Sequence, residues 1–259
     1  MVLIPIISRR SGGAITKKIK GILIMKKQLI AVAAFSLLAG SAMAQSAFEG
    51  GYGQIATGYE KNTISGSSPS ISGQGNSNSG TVPNATTNTA PLVVGLGYTF
   101  MVDPKFTVGL GVDYSALSST SQNVTSTIYG SNWTYAYKVS NRYNFYVTPG
   151  YAISKDQLVY VKAGYTMESL QATSVSSNNS LNNISGSSNT ATVGGYILGL
   201  GYKQMIADGF YGFVEGNYMT YNKPNLTTSV TNSGLSYTYN MNSGTPSAYN
   251  FLAGVGYKF

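Results

Sequence analysis

The last eleven residues, Tyr249 to Phe259 (YNFLAGVGYKF), alternate strictly between two kinds of side chain. Tyr249, Phe251, Ala253, Val255, Tyr257 and Phe259 fall on one parity. Asn250, Leu252, Gly254, Gly256 and Lys258 fall on the other. Side chains of an extended strand point alternately to its two faces, so the faces of this strand meet different surroundings. Large residues on one face and small or polar residues on most of the other suit a strand with lipid outside and a filled interior inside. The length fits too, because a tilted strand crosses a bilayer in about 9–11 residues.

Charged residues make up only 9 % of the 259, and Ser, Thr and Asn are abundant, a composition that could signal disorder. A hydrophobic content of 42 % with 21 tyrosines argues against that for most of the chain. The formal charge of +8 suggests a nucleic-acid or membrane-surface partner. Seven basic residues, however, sit before Ala44, at Arg9, Arg10, Lys17, Lys18, Lys20, Lys26 and Lys27. Beyond Ala44 nine basic residues face eight acidic ones, so the folding part is nearly neutral and no nucleic-acid partner is expected.

The front of the chain reads as an export signal over 25–44. Lys26 and Lys27 form the charged start, Leu29 to Gly40 the apolar run, and Ala42-Met43-Ala44 the cleavage site. The run is too short for a membrane helix, which needs about 20 residues. Residues 1–24 are expected to be a mis-called upstream extension, with Met25 the true start and Gln45 the first mature residue.

The remainder, 45–259, reads as eight strands. Strand 1 spans Phe48 to Glu60, and its facing is ambiguous: Glu49 inside would put Gln54 on the lipid side, unless Gly50-Gly51 forms a bulge. Strand 2 is Leu92 to Met101, and strand 3 starts at Phe106. Strand 4 runs from Tyr135 to Ile153, with Tyr135, Tyr137, Val139, Tyr143, Phe145 and Val147 outward, and Lys138, Ser140, Arg142 and Asn144 inward. Strand 5 turns Val159, Val161, Ala163, Tyr165 and Met167 outward and Lys162, Thr166 and Glu168 inward. Strand 6 is Thr192 to Ile206, strand 7 Phe210 to Tyr221, and the closing strand ends the chain. Residues 61–90 and three further Ser/Asn-rich stretches read as long polar loops. They alternate with short turns at Asp103-Pro104, Lys155-Asp156 and Asp208-Gly209. Short turns on one side and long loops on the other are the layout of an outer-membrane barrel. Eight strands give an interior filled by side chains.

Three near copies, VVGLGYTF (93–100), ILGLGYKQ (197–204) and LAGVGYKF (252–259), and a looser one, VTPGYAI (147–153), end the strands that run toward the short turns. Tyr98, Phe100, Tyr151, Tyr202 and Tyr257 are thus expected at one membrane level as an aromatic girdle, where an apolar ring and a wet hydroxyl are both satisfied. Tyr129, Trp133 and Tyr135 form a second aromatic cluster, read as an upper girdle or a surface binding patch.

With the signal segment, the FEGGYGQ opening, the GLGY strand ends and the terminal Tyr-Lys-Phe, the chain resembles the small eight-stranded outer-membrane barrels of the OmpA/OmpX/opacity type, without a periplasmic domain. The resemblance covers 45–259. It implies an all-β, antiparallel up-and-down transmembrane barrel in a Gram-negative outer membrane. It also implies recognition of Tyr257 and Phe259 by the barrel-assembly machinery.

The chain has no histidine and no cysteine, which removes Ser-His-Asp catalysis, imidazole metal sites and thiol chemistry. No catalytic residue, metal or cofactor is expected. Asp113, Lys138, Arg142, Lys162, Glu168 and Glu215 share inward parity and are expected to form an ion-paired network in the lumen, since a lone buried charge is costly. With a three-residue turn between strands 4 and 5, Arg142 faces Glu168. The expected function is a non-enzymatic surface protein whose loops contact an extracellular ligand in adhesion or envelope integrity. A narrow diffusion channel is the alternative, and a carboxylate-dependent membrane hydrolase a third reading.

Overall fold

The computed structural model describes residues 47–259 apart from 129–130, 178–187, 225–226, 233–234 and 241–243. The export signal (25–44), the upstream segment (1–24) and Tyr129 with the side chains of Trp133 and Tyr135 lie outside the described residues. Eight principal strands follow in chain order: β1 (Gly50–Ile64), β2 (Leu92–Met101), β3 (Phe106–Ser115), β4 (Ser131–Ser154), β5 (Gln157–Ser177), β6 (Ser188–Ala207), β7 (Phe210–Tyr221) and β8 (Pro246–Lys258). Each pairs antiparallel with its neighbour in sequence, and β8 pairs with β1 from Tyr52↔Lys258 to Ile64↔Pro246. The hydrogen-bond ring therefore closes through all eight strands.

The outer face is apolar. On β2 and β3, Val94, Leu96, Phe100, Phe106, Val108 and Leu110 are exposed; on β8, Phe251, Val255 and Tyr257 are. A soluble sheet would bury such residues, whereas here alternation turns every second side chain outward. β1 opens at Gly50, whose φ of 124° only glycine adopts readily. From there Tyr52, Ala56, Glu60, Asn62 and Ile64 point in, Gln54 lies on the same parity, and Ile55 and Tyr59 point out.

Strand β4 departs from the uniform alternation expected of it. Between Met167↔Tyr143 and Ser169↔Ser140 the register slips, and Asn141 adopts a φ of 51°. The extra residue is a β-bulge, and asparagine tolerates the left-handed conformation it needs. Below the bulge Arg142, Asn144 and Tyr146 face in; above it the parity inverts. Tyr137 and Val139, expected outward, are buried inside, and Lys138, expected in the lumen, is exposed.

The long connections are not structureless. Ala85–Thr89 adds to the upper half of β1, and Ser119–Thr120 and Val124–Ile128 add to the upper half of β4. Val82, Ala85 and Val124 from these segments meet Ile64, Tyr137, Val139, Leu170 and Ala172 in an apolar cluster across that end of the barrel. Two hairpins from the first and last long connections form a separate four-stranded sheet, ordered Thr227–Asn232, Leu235–Asn240, Ser70–Gly73, Asn76–Ser79. At the short-turn end, Phe48, Ala152 and Leu158 make a smaller apolar cluster with Met205.

Two substitutions test this architecture by urea unfolding in lipid vesicles. Leu198, 60 % exposed on β6, lies on the face read as lipid-facing; Leu198→Arg is expected to destabilise by about 2–4 kcal/mol if it sits at mid-bilayer. Asn141→Val is expected to cost about 1–2 kcal/mol because a branched side chain opposes the left-handed bulge, while Asn141→Gly is tolerated.

Candidate functional site

The interior is layered, and its charges occupy the middle. In the upper layer, Arg142 on β4 donates from Nε to Glu168 Oε2 at 2.9 Å and from Nη1 to Glu60 Oε2 at 2.6 Å. Its Nη2 donates to Asn62 Oδ1 at 2.6 Å. The planar guanidinium fork thus satisfies β5 and two positions of β1 at once, which a lysine could not do. The register explains the first contact: Tyr143 pairs with Met167, so Glu168 comes opposite Arg142 at the bulge. Asn62 and Asn250 donate to the remaining lone pairs of Glu60.

In the lower layer, Lys162 on β5 donates from Nζ to Asp113 Oδ2 at 2.8 Å and to Glu215 Oε1 at 2.9 Å. Tyr160 donates to Glu215 Oε2, and Asn144 donates to Asp113 Oδ1. The Lys162 ammonium also lies 4.0 Å from the centre of the Tyr146 ring. Asn217 joins the layers, with Nδ2 donating to Glu215 and to Asn250 Oδ1. One continuous set of side-chain hydrogen bonds thus runs from Glu168 to Asp113, drawn from six of the eight strands.

Below these layers Lys203 on β6 is buried among three tyrosine rings, 4.1 Å from the centre of Tyr52, 4.9 Å from Tyr211 and 5.4 Å from Tyr160. It joins none of the four ion pairs among the described residues. The ring faces supply the negative electrostatic surface that a carboxylate supplies elsewhere.

Five of the six charged residues assigned to the lumen by parity thus lie in the two layers: Asp113, Arg142, Lys162, Glu168 and Glu215. Lys138 does not, because the bulge intervenes. Glu60 and Lys203 were missed. The Lys203 signal was present, since it shares parity with Gly199 and Gly201 on a strand whose Tyr196, Leu198 and Leu200 face out. Glu60 was hidden by the unresolved facing of β1. At the short-turn end, Tyr98, Phe100, Tyr151, Tyr202 and Tyr257 all lie on the outward parity of their strands, partly or well exposed. Tyr98 packs on Phe100, Phe106 on Tyr151, and Tyr257 on both Phe210 and Phe259. No cluster of described residues is suited to holding a metal ion.

Removing one member of the upper layer leaves two buried carboxylates without their cation. Arg142→Ala is expected to cost about 3–5 kcal/mol, and Arg142→Met combined with Glu60→Gln and Glu168→Gln to recover most of that loss. Urea midpoints of the unaltered chain and these two variants in vesicles check this.

Residues 30–259 match the family model described as Outer membrane protein beta-barrel domain. No curated protein matches the chain. Among solved structures, the chain is similar to Ail, the attachment invasion locus protein of Yersinia pestis, in complex with the heparin analogue sucrose octasulfate. Identity is 13 %, over 81 % of this chain and 99 % of that one, with a TM-score of 0.40. It is similar also to OprG from Pseudomonas aeruginosa, at 14 % identity over 82 % and 97 % with a TM-score of 0.42. A third is the outer membrane protease OmpT from Escherichia coli, at 10 % identity over 85 % and 100 % with a TM-score of 0.47. With a closed ring of eight strands, an apolar outer face and a family match over nearly the whole chain, the protein belongs to the outer-membrane protein β-barrel domain family.

Proposed function

We propose that this outer-membrane barrel is a non-enzymatic scaffold that displays its long connections to the cell exterior for surface contact. The observation that carries this reading is the filled interior. Two cations, each bound to two carboxylates, occupy the middle. The apolar cluster around Leu170, which is 0 % exposed, lies across the long-connection end. Solute would have to displace both. The long connections, by contrast, have ordered backbone pairing with one another and with the upper strands. Their composition also differs sharply from the short turns. Residues 62–102 carry no charge, 224–245 carry none, and the turns hold Asp103, Lys105, Lys155, Asp156 and Asp208. Neutral, hydroxyl- and amide-rich segments on a rigid base suit contact surfaces, where loops carry specificity and the barrel carries position. Lipid and the barrel-assembly machinery remain the partners that such a fold requires.

A second reading, a narrow diffusion channel, draws on the charged lumen. Planar-bilayer recording separates the two. The scaffold reading expects no steady conductance steps from the purified protein; steps whose size changes with Arg142→Ala would overturn it in favour of the channel. In intact cells, replacing residues 225–245 by a short Gly-Ser turn is expected to reduce adhesion while the barrel still folds, as seen by heat-modifiable migration on a gel.

A further inference from the structure

The four-stranded sheet built from the first and last long connections has two edges, Asn76–Ser79 and Thr227–Asn232, that no other strand among the described residues pairs with. A free edge presents unpaired backbone N–H and C=O groups, and proteins ordinarily blunt it with charge, proline, a bulge or brevity. Asn76–Ser79 is blunted by its four-residue length. Thr227–Asn232 (TTSVTN) has six residues, no charge and no proline, and three threonines with a valine favour extended backbone. Only two residues separate the closing pair Asn232↔Leu235 of its hairpin. In such a hairpin the closing pair is hydrogen-bonded, and the alternation then turns the N–H groups of Ser229 and Thr231 to the free side.

Resting on the display reading above, we infer that this edge pairs with the same edge of a second copy of the chain. A two-fold axis through Val230 sets Ser229 of each copy opposite Thr231 of the other. Each pair then exchanges both backbone bonds, and the two four-stranded sheets become one of eight strands. Such a contact is isologous and needs no second surface. Charge selects the partner: the whole platform is neutral, so two copies approach without like-charge repulsion, while a strongly charged partner gains nothing from it. The proposal places the two copies in facing membranes, where the contact tethers one envelope to another.

The test uses the full purified chain reconstituted in phosphatidylcholine vesicles, read by turbidity, with folding of every variant checked by heat-modifiable migration. Vesicles carrying the unaltered chain are expected to aggregate, and protein-free vesicles to stay dispersed. Ser229→Pro removes an outward N–H without touching the hairpin ladder and is expected to abolish aggregation. Val230→Lys and Val230→Glu each set like charges against each other on the two-fold and are expected to abolish it singly. Mixing the Lys and Glu vesicles is expected to restore it. Aggregation of Ser229→Pro vesicles at the unaltered level, failure of the mixture to recover, or dispersed unaltered vesicles would each overturn the inference. The display reading would stand in all three cases, because it fails on conductance instead.

Discussion

A peptide group inside hydrocarbon has no water to bond, so every N–H and C=O in the membrane needs a partner within the protein. Closure of β1 on β8 meets that demand: thirteen registered positions seal the ring and leave the barrel wall without an edge. The rest of the structure inherits from this closure. A closed ring has an inside, the inside of an eight-stranded ring is narrow, and alternation sends half of each strand's side chains into it. What fills that space is therefore set by whichever residues share a parity, and this chain places four carboxylates and three cations there.

Those charges are balanced by arrangement more than by number. Arg142 and Lys162 each hold two carboxylates, and amides of Asn62, Asn217 and Asn250 donate to further carboxylate lone pairs. Buried ion pairs are weak ground for stability, because desolvation offsets much of their attraction. Their effect on register is firmer. A one-residue slip of β1, β4 or β5 would turn Glu60, Arg142 or Lys162 into lipid, so the network penalises misaligned strands far more than apolar filling would.

Strand number, the alternation of turn and long connection, and the outer face were legible because period-2 patterning is strong wherever lipid lies on one side and packing on the other. Legibility ended where backbone conformation broke the period. Asn141 tolerates a positive φ, but asparagine is common along this chain and nothing in the sequence singles this one out, yet it reverses the facing of Lys138, Val139 and Tyr137. The facing of β1, which the pattern left open, follows from its pairing with both neighbours, and it brings Glu60 to Arg142. The ribbons in the long connections were missed for a different reason: Ser, Thr and Asn without apolar alternation read as loop, and only long-range pairing, such as Tyr239↔Ile71, orders them.

The sequence repeat gains its physical meaning from the layer beneath the ion pairs. The second glycine of each near copy, Gly97, Gly201 and Gly256, stands directly across the ladder from Tyr52, Tyr160 and Tyr211 respectively. A Cβ at any of the three would collide with that tyrosine ring, so each missing side chain is a seat for a neighbour's ring. The same three rings are the ones that surround Lys203. The pattern read first as an aromatic girdle therefore also encodes a cation site: glycine lets the ring lie flat against the wall, and three rings so placed hold an ammonium that no carboxylate among the described residues reaches within ion-pair distance. Tyrosines on the outward parity of the same segments, Tyr98, Tyr202 and Tyr257, face the other solvent. One eight-residue motif thus serves both faces of the wall, the inner with glycine and the outer with an aromatic ring.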